Sequence, residues 1–191
     1  SRGINGIAYI LRGTSYGDVR ILTGDGPNPD LLDIYGVGDV RGAANMIGTA
    51  QGYPTMLGKF PSMDGSDNIT LFRVEEMHLI AAETSLRAGN AADALSYLNN
   101  IPAIRGLGAD YYASATLENI LEERRKEFAF EGLRFHDLSR MGMDMPQIDS
   151  FKQLNDDLTG TPPAYGSYRY AYPISQSERS ANPNMVQNYG Y

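Results

Sequence analysis

Two consecutive helical patterns, joined by only two residues, constrain the fold of this 191-residue chain more than any other feature. Apolar residues recur at helical spacing from Leu71 to Leu86, after candidate caps at Asn68 and Thr70, and the pattern ends at Gly89. The second apolar face follows at once and consists of Ala91, Ala94, Leu95, Leu98 and Ile101. A connection this short makes the helices antiparallel neighbours, so the sequence predicts a helical hairpin.

Small residues give this hairpin the pattern of a tetratricopeptide repeat. Ala82 and Ala94 would let the two helices approach closely, and Leu98 follows Ala94 by one helical turn. A single repeat cannot bury its own apolar face, because about three stacked units are usually needed for stability. We therefore expect a mainly α fold in which a tetratricopeptide-like hairpin packs with further helices, together with long irregular loops and few short strands.

Three later segments carry further secondary-structure signals. Thr116 is a good N-cap for a third helix, which we expect to run to Gly132. Apolar residues at roughly helical spacing favour another helix over residues 146–158. Alternation typical of a strand occurs at Tyr168, Tyr170 and Tyr172.

The first 68 residues differ from the rest of the chain. They are rich in Gly, Asp, Pro and Asn, and only residues 7–11 and 19–22 read as strands. An irregular segment of this length is unusual in a compact domain. We therefore expect it to pack on another part of the protein. We divide the chain accordingly: 1–68 is a loop-rich segment with short strands on the ligand side, and 69–191 is a helical C-terminal region with a docked extended tail.

Charge and composition exclude several classes of function. The chain has 16 Lys and Arg residues against 23 Asp and Glu residues, a formal net charge of −7, so nucleic acid and anionic membrane surfaces would be repelled on average. The absence of Cys rules out disulfides, thiolate zinc sites and cysteine nucleophiles. The sequence begins at Ser1 without an initiator Met, so we expect it to be cut from a longer precursor.

A densely charged block lies between Glu118 and Arg140, where acids and bases alternate with bulky apolar residues. The interleaved phenylalanines indicate that these charges are partly buried, where Arg side chains can satisfy several carboxylate oxygens at once. We interpret the block, with three residues of the first helix, as a structural ion-pair network that fixes orientation more than it adds stability. The predicted members are Arg73, Glu76, Glu83, Glu123, Arg124, Arg125, Glu127, Glu131, Arg134, Asp137 and Arg140.

The same block leaves a catalytic alternative open. Glu123 and Glu127 lie one helical turn apart, and such a pair could serve a retaining glycosidase. Neighbouring Arg side chains, however, hold both acids ionised, whereas a general acid needs a raised pKa. We therefore favour the structural interpretation and expect no catalytic residue, no metal and no cofactor.

Tyrosine is the remaining chemical signal, with 13 Tyr residues and no Trp. Exposed aromatic rings stack on the apolar faces of sugars or hold peptide side chains. The tyrosines of the Gly-rich segment lie where binding loops are expected. We take as ligand-binding candidates Tyr9, Tyr16, Tyr35 and Tyr53.

Three motifs, in order along the chain, resemble the SusD/RagB family. The first helix is similar to the pattern "RyaEvyLiyAEA" at Arg73, Glu76, Leu79, Ala82 and Glu83. The charged block resembles "ERRlELafEGhRwfDLrR" at Glu123, Arg124, Arg125, Glu127, Phe130, Glu131, Gly132, Arg134, Asp137, Leu138 and Arg140. The C-terminal residues 172–191 resemble "yPIPqsEi…NPnl.QNpGY", with Ser175 and Tyr189 at positions where Pro is common.

This resemblance implies a non-catalytic outer-membrane lipoprotein that binds oligosaccharide or polysaccharide, or sometimes peptide, at the cell surface. It also implies a partner, a SusC-like TonB-dependent transporter, through which the bound nutrient is taken up. Family members are typically longer and carry their lipid anchor upstream, so this chain resembles a C-terminal part. The resemblance assigns no ligand residue here, and a tetratricopeptide-type scaffold for peptides remains an alternative, as does a glycoside hydrolase using Glu123 and Glu127.

Overall fold

The computed structural model describes residues 34–43, 47–50, 53–56, 58–59, 68, 70–129, 131–145 and 163–191. In these described residues, two short strands, β1 (Ile47–Ala50) and β2 (Tyr53–Met56), precede five helices. The helices are α1 (Val74–Arg87), α2 (Ala91–Ile104), α3 (Leu117–Glu127), α4 (Leu133–Arg140) and α5 (Gln176–Ala181). Single 3-10 turns lie at Val40–Gly42 and Tyr168–Tyr170. The expected mainly α fold class is confirmed.

Helices α1 and α2 form the predicted hairpin. Gly89, in the connection, has a φ of 83°, a conformation that Gly adopts without the steric cost of a Cβ atom. Helix α3 packs against both helices, and Ile120 in α3 and Phe128 directly after it join their shared core. The residues that the hairpin buries completely in this core are Leu79, Ala82, Leu98 and Ile101. The likeness of this hairpin to a tetratricopeptide repeat stays a prediction.

Helix α1 begins at Val74, so the caps predicted at Asn68 and Thr70 are wrong. Arg73 precedes the helix in an extended conformation, with φ −132° and ψ 148°. Its guanidinium reaches across to the end of α3, where Nη1 donates to Glu127 Oε1 at 2.7 Å. The start of α1 therefore coincides with a long-range contact. Local capping chemistry alone does not determine where this helix begins.

The charged block contains two helices, so the single helix predicted to run to Gly132 is wrong. Helix α3 does begin after Thr116, whose hydroxyl accepts a hydrogen bond from Asn119 N at 3.1 Å. It ends at Glu127, however, and Gly132 then takes a left-handed conformation with a φ of 78°. This turn changes the direction of the chain before α4 begins.

The predicted strand around Tyr170 is also wrong. Tyr168–Tyr170 form a 3-10 turn capped by Ser167, whose hydroxyl accepts from Arg169 N at 3.2 Å. Beyond α5 the chain folds back, because the Gln187 side chain bonds both backbone groups of Ile174, at 2.8 and 3.0 Å.

The two strands form an antiparallel pair, in which Ile47 lies opposite Met56 and Ala50 lies opposite Tyr53. The strands predicted at 7–11 and 19–22, and the helix predicted at 146–158, lie outside the described residues. Among the helices that are described, none has the length and hydrophobicity needed to cross a bilayer. The division of the chain at residue 68 stays a prediction.

Candidate functional site

The acids of α3 are the centre of a buried group of ion pairs. We call it the Glu127 cluster, and it consists of Asp39, Arg41, Lys59, Arg73, Glu75, Arg105, Glu123, Glu127 and Glu131. The side chains of Glu123 and Glu127, one turn apart on α3, are 0% and 2% exposed. Arg41 Nη1 donates to both, at 2.6 Å to Glu123 Oε1 and 3.0 Å to Glu127 Oε2. The two carboxylates therefore share one guanidinium.

Glu127 accepts hydrogen bonds from two further arginines. Arg73 Nη1 lies 2.7 Å from Oε1, while Arg105 donates to Oε1 at 2.6 Å and to Oε2 at 3.0 Å. Burial by itself would raise the pKa of Glu127, but the hydrogen bonds from Arg105 and Arg73 outweigh it and lower this pKa to about 2. The Glu127 carboxyl is therefore ionised at neutral pH.

Arg41 joins the loop of residues 34–43 to this cluster. Its Nε and Nη2 donate to the two carboxylate oxygens of Asp39, at 2.9 and 2.7 Å, in a bidentate pair. Burial lowers the pKa of Arg41, but hydrogen bonds to Asp39 and the charge of Glu123 raise it above its ordinary value. The backbone adds a further tie, since Val40 N donates to Arg105 O at 3.0 Å.

Lys59 and Tyr112 donate further hydrogen bonds to α3 and to residues that follow it. Lys59 Nζ donates to Glu127 O at 2.6 Å, to Ala129 O at 2.9 Å and to Glu131 Oε1 at 2.5 Å. The Tyr112 hydroxyl donates to Glu123 Oε2 at 2.9 Å, and burial raises the pKa of this hydroxyl. Polar atoms at the C-terminal end of α3 thus have hydrogen-bond partners although they are buried.

A second group of ion pairs, the Asp137 cluster, consists of Glu83, Arg87, Arg124, Asp137 and Arg140. Arg124 Nε donates to both oxygens of Asp137, at 3.0 and 2.8 Å. Arg140 bonds Asp137 and also both oxygens of Glu83, each at 2.8 Å. Burial would raise the pKa of Glu83, but hydrogen bonds from Arg140 and Arg87 lower it. This cluster joins α1, α3 and α4.

The structure brings eight of the eleven predicted network residues into these two clusters. They are Arg73, Glu83, Glu123, Arg124, Glu127, Glu131, Asp137 and Arg140. Of the other three, Glu76 and Arg134 make no ion pair with the described residues, and Arg125 lies close enough to Arg134 to repel it.

Sequence reasoning missed six members of the two clusters, namely Asp39, Arg41, Lys59, Glu75, Arg87 and Arg105. Asp39 and Arg41 stand in a Gly-rich run, where charged side chains are normally solvated and where no periodic pattern marks burial. Arg105 follows the last residue of α2 and gives no local signal either. Arg41 and Arg105 bond acids of α3 that are distant in sequence, and Asp39 is buried together with Arg41.

Of the four tyrosines predicted to bind ligand, Tyr35 has a described side chain. Its hydroxyl donates to Lys126 O at 3.0 Å, and burial raises the pKa of this hydroxyl. The ring is half-buried, and with residues 36–40, 42 and 43 it lines a cavity of about 360 Å³. Tyr53 is the first residue of β2, whereas Tyr9 and Tyr16 lie outside the described residues.

Comparison with known proteins identifies the class to which this chain belongs. The sequence profile of the SusD family matches residues 50–191. The chain is therefore a member of the SusD/RagB family, as its motifs predicted. Among its relatives is the starch-binding protein SusD of Bacteroides thetaiotaomicron, which is 32% identical over 142 residues, covering 74% of this chain and 24% of that protein.

Solved structures agree with this assignment. A SusD superfamily protein from Bacteroides thetaiotaomicron matches with a TM-score of 0.67 and 28% identity, over 89% of this chain and 44% of that one. A putative sugar-binding protein from Bacteroides vulgatus matches with a TM-score of 0.64 and 32% identity, over 84% of this chain and 37% of that one. The chain thus spans about a quarter of the length of the curated starch-binding relative and less than half of these two structures.

Proposed function

We propose that this chain is part of a cell-surface protein that binds oligosaccharide or polysaccharide without transforming it. The observation that carries the proposal is membership in the SusD family together with 32% identity to a starch-binding protein. Because the chain spans only a fraction of that relative, the proposal concerns the intact protein.

The loop of residues 34–43 supports a contribution of this chain to the binding site. Buried hydrogen bonds from Arg41 to Asp39 and Glu123 hold the loop in place, while Val37 at its tip is fully exposed. A loop that is already ordered loses less conformational entropy when a ligand binds. The Tyr35 ring can offer an apolar surface to a sugar, although its hydroxyl is engaged with Lys126 O. We propose that Tyr9, Tyr16 and Tyr53 contact the same ligand.

The acids of α3 support binding rather than hydrolysis. A glycosidase needs one carboxyl that is protonated near neutral pH, and Glu127, whose pKa is lowered to about 2, is ionised and unsuited to that role. Arg41 Nη1 also donates to both Glu123 and Glu127, so both carboxylates are engaged in ion pairs. These contacts are typical of structural carboxylates, which here hold the 34–43 loop and the helices together.

Family membership also supports a proposal for the partner and the location of the intact protein. We propose that the intact protein is an outer-membrane lipoprotein at the cell surface, attached by an upstream lipid anchor. We further propose that it delivers its ligand to a SusC-like TonB-dependent transporter. Co-purification of the intact protein with such a barrel from detergent-solubilised outer membranes tests this arrangement.

Exposed apolar residues favour peptide or protein binding as a second candidate function. Leu71 and Phe72 are about four-fifths exposed, and Val74 and Met77 on α1 are also exposed. An apolar surface of this kind is typical of sites where a protein segment packs. The intact protein would then act as a scaffold.

Binding measurements on the intact protein distinguish these functions. We expect binding to neutral oligosaccharides on a glycan array, no specific binding on a peptide array, and no release of reducing sugar from starch. Binding to peptides alone would favour the scaffold, and sugar release lost in Glu127→Gln would favour a hydrolase.

A variant of Tyr35 tests the loop itself. We expect Tyr35→Ala to weaken oligosaccharide binding roughly tenfold in calorimetry, by analogy with the stacking of bases on aromatic side chains at about 1 to 3 kcal/mol. The matched control is Tyr97→Ala, which removes a partly exposed ring from α2. Unchanged affinity in a folded Tyr35→Ala protein would place the site elsewhere.

A further inference from the structure

A cleft of about 490 Å³ lies beside α3 and α4, apart from both charged clusters. Its volume is within the range of about 300–1,000 Å³ that is typical of small-molecule sites. It shares no lining residue with the Tyr35 cavity. The lining residues are the arginines Arg125 and Arg134, the acids Glu118 and Glu122, and the apolar Leu117, Leu121 and Met143.

The charge of Arg134 is poorly compensated. This residue lies in the first turn of α4 and makes no ion pair with the described residues. Asp137, one turn further along, is engaged with Arg124 and Arg140. Burial and the nearby charge of Arg125 both lower the pKa of Arg134. A negative group placed beside Arg134 would therefore stabilise its charged form.

The acids of the cleft restrict which anion can bind. Glu122 is ion-paired with Lys126, and Glu118 is exposed in the first turn of α3. Two carboxylates in the same cleft would repel a compact dianion such as phosphate, but they can accept hydrogen bonds from hydroxyl groups.

Apolar side chains complete the chemistry of the cleft. Leu117, Leu121 and Met143 offer a surface suited to the C–H groups of a sugar ring. A ligand with one carboxylate, several hydroxyls and an apolar face matches all three kinds of lining group. A sugar acid has this composition.

We propose that the cleft binds a uronic acid unit of a glycan, with its carboxylate against Arg134 and its hydroxyls toward Glu118 and Glu122. This inference rests on the proposed function, because it names one class of glycan for a protein proposed to bind glycans. It adds a site separate from the Tyr35 loop.

Matched sugars test the inference on the full chain. Sodium glucuronate and galacturonate are titrated by NMR alongside glucose and galactose, which carry CH₂OH where the uronates carry a carboxylate. We expect each uronate to bind at least about tenfold more tightly than its neutral counterpart, with weaker binding at higher salt and with shifts of the Arg134 Nε–H and Met143 methyl signals.

Variants locate the effect. We expect Arg134→Gln to abolish the preference for uronate and Arg134→Lys to retain part of it, since Lys keeps the charge but loses the planar fork. Arg87→Gln removes the same charge from an Arg that is 56% exposed and lies outside the cleft, so it should leave uronate binding unchanged. If Arg134→Gln does not fold, the NMR shifts of the unmodified chain still decide whether the cleft is occupied.

Four results would overturn the inference: no uronate binding, equal binding of the neutral sugars, equal binding of inorganic phosphate, or uronate binding that survives in folded Arg134→Gln. The proposed function can fail independently of this inference, because it is tested by neutral oligosaccharides and by Tyr35→Ala in the intact protein. Arg134→Gln should leave the binding of neutral oligosaccharides unchanged.

Discussion

At the scale of single residues, Arg41 connects more of the molecule than its place in a short loop suggests. Its guanidinium contacts Asp39 in its own loop and both Glu123 and Glu127 on α3, and it is 5% exposed. A buried charge of this kind stabilises the fold only while its partners are present, because removing one partner leaves the others desolvated and unpaired.

Replacing this residue tests that dependence. We expect Arg41→Met to lower the free energy of unfolding by about 3 to 5 kcal/mol, since Asp39 and Glu123 would lose the guanidinium that both contact. The measurement is urea denaturation at neutral pH. Arg87→Met is the matched control: its side chain is 56% exposed, so the loss should stay below about 1 kcal/mol. Equal losses in the two variants would show that the buried contacts of Arg41 contribute no more to stability than the exposed contacts of Arg87.

At the scale of elements, two glycines with positive φ show how connections between helices are built. Gly106 follows α2 with a φ of 89°, and a Cβ atom there would lie 2.8 Å from Gly38 O in the 34–43 loop. Gly132 precedes α4 with a φ of 78°, and a Cβ atom there would have no neighbour within 4 Å. The first glycine permits a close approach of two segments, and the second permits only a turn.

This difference predicts unequal effects of adding a methyl group. Gly132→Ala should cost about 1 to 2 kcal/mol, the price of a left-handed conformation for Ala, and Gly132→Asn should cost less because Asn tolerates that conformation. Gly106→Ala should cost more, because its Cβ would also push Gly38 away and disturb the hydrogen bond from Val40 N to Arg105 O. Thermal unfolding ranks the three variants, and a smaller loss in Gly106→Ala than in Gly132→Ala would contradict the assigned contact.

At the scale of the whole molecule, ion pairs join parts of the chain that are far apart in sequence. The Glu127 cluster connects the 34–43 loop, Lys59, α1 and the end of α2 to α3, and the Asp137 cluster connects α1 and α3 to α4. A fold joined in this way should be sensitive to the protonation of its buried acids.

Acid should therefore destabilise the protein in a defined range. The pKa of Glu127 is about 2 in the folded chain and about 4.5 when unperturbed, so its contribution is complete above pH 4.5 and is lost as the pH falls through 2. The loss should be on the order of 3 kcal/mol, because each pKa unit corresponds to about 1.4 kcal/mol, and Glu83, whose pKa is also lowered, adds to it in the same direction. Denaturation midpoints between pH 6 and 2 measure the effect. The Glu127→Gln protein should show a flatter profile, and parallel profiles for the two proteins would contradict this assignment.

How far the sequence predicts the structure depends on the range of the interactions involved. The α1–α2 hairpin and the start of α3 at Thr116 were predictable because apolar spacing, the Gly89 turn and the Thr116 cap act between near neighbours in the chain. Family membership was predictable as well, because three motifs keep their residue types and their order. The roles of Tyr9, Tyr16, Tyr35 and Tyr53 in ligand binding stay predictions.

The sequence by itself determined a mainly α chain with a helical hairpin, a dense group of opposite charges and membership in the SusD/RagB family. Only the tertiary structure decided that α1 begins after Arg73, that Asp39 and Arg41 are buried, and that Arg134 lines a cleft. The physical reason is that charge pairing has no period along the chain. Arg41 and Glu123 are 82 residues apart, and their pairing is set by the packing of a loop on a helix.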